Sequence, residues 1–208
     1  AIKKYEVDSW QIAVHSQGDR STKEVMEAFG SSSKKDVDHR HRIEHCLLIQ
    51  PESLADMSRL SVHPSFHINH LYYYGSALKE EIIGADRVEQ ILPISTADSL
   101  GLTYTMHSDA PMFPSEPLSL IQTAVTRQTT AHDTIGQRHA ISVLDGLKAM
   151  TINAAWQIKM EDKLGTIEVG KYADFVVLDQ NPLLVDPQKL RDIKVERTIV
   201  AGQDIYVR

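Results

Sequence analysis

Residues 102–111 read LTYTMHSDAP, a strand (Leu102–His107) that runs straight into Ser108-Asp109-Ala110-Pro111. It thus delivers a histidine and a carboxylate at its C-terminal end. Upstream, other segments finish in a similar way. Trp10–His15 (WQIAVH) alternates polar and apolar residues, the period of a half-buried strand, and stops at a histidine. Arg42–Cys46 (RIEHC) has His45 near its end, and Ser61–Phe66 (SVHPSF) reads as a further strand that Pro64, lacking a ladder N–H, limits or ends.

Helical patterns separate these strands. Asp19 or Ser21 is the expected cap of a helix with Val25, Met26 and Phe29 on its apolar face and Gly30 as its stop. Pro51 suits the first position of PESLADMSRL, where its missing N–H costs nothing. HINHLYYYG (residues 67–75) reads as a long aromatic loop, and STADSLG as a short helix ending at Gly101. Ser142, with Asp145 three residues on, opens a helical run in the manner of a capping box. From Leu164 the character changes: GTIEVGKYADFVVLD and VERTIVAGQDIYV read as glycine-punctuated strands with no long helix between them. The expected division is residues 1–163 and 164–208.

Strands alternating with helices imply parallel strands joined by crossover helices. In a (β/α)8 barrel the catalytic residues stand at the strand C-termini, as the histidines and Asp109 do here. Four such units make half a barrel; a whole one takes about 250 residues, against roughly 160 before the change of character.

The bulk numbers exclude several functions. A net charge of -6, from 22 basic and 28 acidic residues, opposes binding to a phosphate backbone. No apolar run approaches the ~20 residues that span a bilayer, and the N-terminus has no signal-peptide segment. A lone cysteine, Cys46, forms no intrachain disulfide, so the cytoplasm is the expected location. Of the ten histidines none lies beyond His139, which confines the expected chemistry to the first two thirds.

Three residues at strand ends, His15, His45 and Asp109, offer two imidazoles and a carboxylate, a plausible donor set for Zn or a similar divalent ion. Spacings of 30 and 64 positions bring them together only if their strands are neighbours; otherwise each histidine is a hydrogen-bonded core residue.

The segments VHSQGDR, HRIEHC, SFHINHLYYYG, MHSDAP, TINAAW and LGTIEVGKYADFVVLDQNPLLVD, in this order, resemble the amidohydrolase superfamily, most of all amidohydrolase family 3. The resemblance implies an α/β fold: the C-terminal half (strands 5–8) of a TIM barrel, followed by the C-terminal strands of a small composite β-sandwich. It places His15 and His45 at the metal histidines of strands 5 and 6. It places Asp109 at the strand-8 aspartate, which binds metal and shuttles the proton. The implied activity is hydrolysis of a non-peptide C–N bond (amide, N-formyl or cyclic amide) in a small molecule by metal-activated water, with one or two ions, most often Zn, per intact enzyme; the 208-residue chain alone is expected to bind metal weakly and to be inactive. The family's H-x-H of strand 1 and its strand-4 lysine or acid have no counterpart here, so Ala1 falls just before strand 5 of a longer pattern. Four strands with open edges would expose apolar surface, so a homo-oligomer, or association with the other half, is expected.

His67 and His70 are read as substrate contacts or as pins of the aromatic loop, and His107 as a metal or substrate contact. His63 is expected to be a satisfied strand residue, and His39, His41, His132 and His139 to be solvated. Glu44 is expected on the strand face opposite His45 and outside the ligand set, and Cys46 as a small buried hydrophobe. Tyr72, Tyr73 and Tyr74 fit an apolar pocket or lid packing equally. Lys171 and Asp174 look structural. The rival reading is a non-catalytic truncated paralogue serving as a structural or interaction module.

Overall fold

The computed structural model describes residues 2–7, 10–31 and 38–208; Ala1 lies outside them. After a short helix α1 (Ile2–Val7), four strands, β1 (Ala13–Ser16), β2 (His41–His45), β3 (Val62–His67) and β4 (Thr105–His107), form one parallel sheet in the order β1-β2-β3-β4. Each crossover is helical: α2 (Asp19–Gly30), then α3 (Pro51–Leu60), then α4 (Asn69–Ala77) with a π turn Leu78–Ile82, α5 (Ala85–Val88) and α6 (Ile94–Ser99). Beyond β4 come α7 (Pro117–Thr126), α8 (Val143–Met150) and α9 (Ile152–Gln157). Three antiparallel strands, β5 (Phe175–Leu178), β6 (Val195–Val200) and β7 (Gln203–Val207), complete the chain.

The helices pack as their patterns require. Met26 and Phe29 of α2 are buried, as are Leu54, Met57 and Leu60 of α3, against Ile43, Val62 and Phe66 of the sheet. Each fully buried apolar side chain of this size contributes about 1.5–3 kcal/mol. The α2 cap is Gly18 rather than Asp19 or Ser21; Ser21 instead accepts the Gly18 N–H through Oγ at 3.2 Å. Ser142 caps α8 by accepting the Asp145 N–H at 3.1 Å.

Several expectations are corrected. Pro64 does not limit β3, which is buried along its whole length. Pairing with β4 starts only at Ser65↔Thr105, and the Pro64 carbonyl accepts Gln157 Nε2 at 3.1 Å. A residue's N–H and C=O lie on the same side of a strand, so the absent N–H faces a side chain and costs no ladder bond. Residues 67–75 are not a loop: from Asn69 they form α4. Gly75 lets this helix approach residues 129–135, since a Cβ there would meet Thr129 Cγ2 at 2.6 Å and Ile135 Cδ1 at 2.9 Å. Trp10 lies outside the first strand and is exposed, and the long strand expected from Gly165 is regular only from Phe175, because Gly165 and Gly170 take left-handed φ values. Lys171 and Asp174 hold the turns around it, donating to Thr166 Oγ1 and accepting the Ala201 N–H.

Residues 187–193 return to the first core. Leu190 and Ile193 are buried there, Gln122 Oε1 accepts the Arg191 N–H at 2.9 Å, and the Arg191 guanidinium lies 4.3 Å over the Tyr72 ring and donates to its hydroxyl.

Two histidines expected in solvent are buried. His41 accepts the Ile12 N–H at 3.1 Å and stacks on Phe29, and His139 accepts from Arg138 Nε at 3.2 Å. His63, as expected, is a strand residue satisfied by the Thr103 carbonyl at 3.2 Å. Burial pushes the His63 and His139 imidazoles down to about 4, opposed at His63 by that carbonyl and reinforced at His139 by the Arg127 and Arg138 charges. An unfolded histidine titrates near 6.5. Between these values the unfolded chain takes up protons that the folded chain refuses, so stability falls as pH drops from 6.5 toward 4. The loss is up to ~1.4 kcal/mol per pH unit for each ring. Urea midpoints at pH 7 and pH 5 should show this fall, and His139→Gln should lose part of the slope; an undiminished slope excludes the His139 share.

Candidate metal centre

The C-terminal ends of the four parallel strands converge. The register pairs His15 with Glu44 and His67 with His107 across neighbouring strands. Side chains alternate along a strand, so Glu44 shares the inner side of the sheet with His15, His67 and His107. The expectation that Glu44 points away from the site is therefore corrected, but its carboxylate is tied to Arg42 Nε at 2.9 Å. His45, next in sequence, would face outward by the same alternation. Its φ of 78° turns it back, and its ring reaches His15 at 4.4 Å, His107 at 5.1 Å and His67 at 5.5 Å between centroids.

Asp109 follows β4 in the same left-handed region, at φ 56°, and Cys46 follows β2 in it at 54°. For residues other than glycine this conformation costs about 1–2 kcal/mol and collects at functional sites. Cys46 itself is fully buried, donates Sγ–H to the Ile43 carbonyl and has its thiol pKa raised by burial, all consistent with a core residue.

His45, His107 and Asp109 bring one donor atom each to within 4.8 Å of one another. His15 stands beside His45 but outside this group. His67 and His70 lie 4.0 Å apart, with His70 6.4 Å from His45 and His67 5.1 Å from His107. All six residues singled out from sequence therefore meet in one cluster, with His45 at its centre. Sequence reasoning did not single out Phe113, whose ring is 5.5 Å from His67.

Electrostatics suit a cation. Burial lowers the pKa of His45 and His107, and the His15 ring adds to the effect at His45 while Asp109 opposes it. Burial pushes His67 to about 3 and His70 to about 4, helped by their histidine neighbours. These rings are neutral at pH 7 and keep lone pairs for a ligand. His45 Nδ1, His107 Nε2, His70 Nδ1 and both nitrogens of His67 are buried without a hydrogen-bond partner. Such groups are normally satisfied, and a neutral imidazole set with one carboxylate fits a Zn-type ion.

A parallel sheet with histidines and an aspartate at its C-terminal rim is a frame that can hold a cation, and the amidohydrolase family model matches residues 1–206. The chain belongs to the amidohydrolase family. It is 29% identical to YtcJ of Bacillus subtilis, named as an amidohydrolase, over 99% of this chain and 39% of that protein. It is 26% identical to the N-substituted formamide deformylase of Arthrobacter pascens over 95% of this chain and 36% of that enzyme. An uncharacterized metal-dependent hydrolase from Pyrococcus furiosus superposes with a TM-score of 0.69 at 25% identity, covering 83% of this chain and 34% of that one. The chain thus spans little more than a third of the length of these relatives. Among the described residues no helix is long and apolar enough to cross a membrane.

Proposed function

We propose that this chain carries the metal-holding and proton-transferring part of an enzyme that hydrolyses a non-peptide C–N bond of the amide, N-formyl or cyclic amide type. The observation that carries the reading is the convergence of His45, His107 and Asp109 donor atoms within 4.8 Å. His15, His45 and Asp109 hold the ion, and His107 completes the donor set rather than serving the substrate alone. An ion bound there, Zn for choice, acidifies water toward neutral pH and polarises a carbonyl oxygen. Asp109, exposed at the rim, accepts the proton of the attacking water and returns it to the departing nitrogen. His67 and His70, neutral and buried, donate N–H to the oxygen on which charge develops.

The four-stranded sheet is read as strands 5–8 of a (β/α)8 barrel, with a division near residue 163 and β5–β7 as part of a composite sandwich. β1 and β4 are the outer strands of the sheet, and open edges invite pairing. A second copy, or the segment bearing the other barrel strands, supplies that pairing. A monodisperse monomer in sedimentation, with no such partner, opposes this. The lone buried cysteine supports a cytoplasmic setting.

Calorimetric titration with zinc tests the site. One site is expected, weak in this chain alone, and His45→Ala should lower its affinity by roughly 100-fold, a large loss on the scale of metal-site changes. A wild-type chain that takes up no divalent ion sinks the proposal.

A further inference from the structure

Beyond the imidazoles the rim of the site is aromatic. Tyr73 and Tyr74 stand on α4, which follows directly after the strand bearing His67, and Phe113 lies four residues past Asp109. The Tyr73 and Phe113 rings stack at 4.6 Å with planes 8° apart, and Tyr74 meets Phe113 edge-on at 5.8 Å. Phe113 also reaches His67 at 5.5 Å, and Tyr74 reaches His70 at 6.1 Å. The cluster therefore continues the inner imidazoles outward without a break. Its outer side is open: Tyr73, Tyr74 and Met112 are 42%, 40% and 55% exposed. Neither stretch that builds it contains a charged residue, since residues 71–74 read LYYY and 111–114 read PMFP.

An open aromatic surface that begins where the polar site ends has little to offer a carboxylate. It offers flat apolar area and ring edges, which favour a planar apolar partner. Resting on the hydrolytic reading above, we propose that Tyr73, Tyr74 and Phe113 form a specificity subsite for an aryl or similar planar apolar group attached to the scissile amide. Tyr73 and Phe113 supply the faces against which that group packs, and His67 and His70 mark the passage from this subsite to the reacting carbonyl.

Three probes matched at the amide test this on the zinc-supplied intact enzyme: N-methylacetamide, N-(2-phenylethyl)acetamide with its ring on the amine side, and N-methyl-3-phenylpropanamide with its ring on the acyl side. Binding is read by saturation-transfer NMR titration and hydrolysis by amine release. At least one aryl probe should bind about tenfold or more tighter than N-methylacetamide, the usual scale for filling an apolar pocket. Phe113→Ala and Tyr73→Ala should each reduce that ratio about threefold or more, with Phe113→Leu intermediate; far-UV circular dichroism checks that each variant is folded. Which aryl probe gains shows the side of the amide that faces the rim. Equal binding of all three probes overturns the subsite, as does a ratio that survives in both alanine variants. Aryl selectivity without amine release keeps the subsite and counts against the hydrolytic reading, whereas amine release without aryl selectivity does the reverse.

Discussion

In the intact enzyme, Asp109→Asn is expected to keep the fold and most of the bound metal while hydrolysis falls by about 10³-fold, within the range for a positioned acid–base group. Asparagine is the replacement that isolates the proton. Asp109 sits at φ 56°, a left-handed conformation that Asn tolerates as few other residues do, so the backbone at the rim has no reason to move. The amide oxygen still offers a lone pair toward the position shared with His45 and His107. It cannot take up a proton from water or return one to a leaving nitrogen. Amine release and metal content, measured on the same preparation of the protein, separate the two roles. Unchanged turnover removes Asp109 from proton transfer. Loss of metal together with turnover makes it a ligand first.

The positions of His15, His45, His107 and Asp109 were legible because parallel strands alternate with helices and each of their strands ends on an ionisable group, whereas His67 and His70 were placed over the site by the resemblance alone. That pattern places His15, His45, His107 and Asp109 on one rim from sequence alone. The sequence did not disclose how His45 arrives there. Simple alternation puts Glu44 and His45 on opposite sides, and by that rule Glu44 is the inner residue. Only the left-handed backbone at His45 reverses the outcome, and no residue type in HRIEHC announces it. The α4 helix was hidden for a related reason: Gly75 reads as a loop signal, whereas its purpose is the close approach to Thr129 and Ile135. Likewise His41 and His139, each next to an arginine, carry no local sign that distant Phe29 and Ile12, or the Arg127 charge, surround them. Local pattern fixes periodicity; long-range packing decides exceptions to it.

Arg127 is the largest such exception, and replacing it should have the largest effect on stability. Nothing in AVTRQTT marks it, yet it is fully buried. Its Nε donates to the Ile135 carbonyl at 3.1 Å, Nη1 to Leu92 at 3.2 Å and Nη2 to Ile91 at 2.8 Å. Burial pushes its pKa down to about 9, opposed by the Glu89 charge, so it remains a cation at neutral pH. Arg127→Met fills much of the same volume but leaves the Ile91 and Ile135 carbonyls without donors, the Leu92 carbonyl with the Ile94 N–H alone, and Glu89 without its countercharge. A loss of about 2–6 kcal/mol is expected, at about 1–3 kcal/mol for each buried carbonyl left unsatisfied. Arg127→Lys keeps the charge without the planar fork that spans three acceptors, so it should recover only part of the loss. Urea unfolding of the three proteins measures both, and a methionine variant within 1 kcal/mol of wild type would falsify the clamp. The consequence reaches the metal centre through the backbone. The Leu92 N–H donates to the Leu47 carbonyl at 2.9 Å, and Leu47 follows His45 by two residues, just past the left-handed pair that aims the His45 ring inward. If Arg127 fixes the loop that fixes Leu47, zinc affinity in Arg127→Met should weaken under conditions where the variant is still folded. If affinity is unchanged there, the strain at His45 is held by β2 and its neighbours alone.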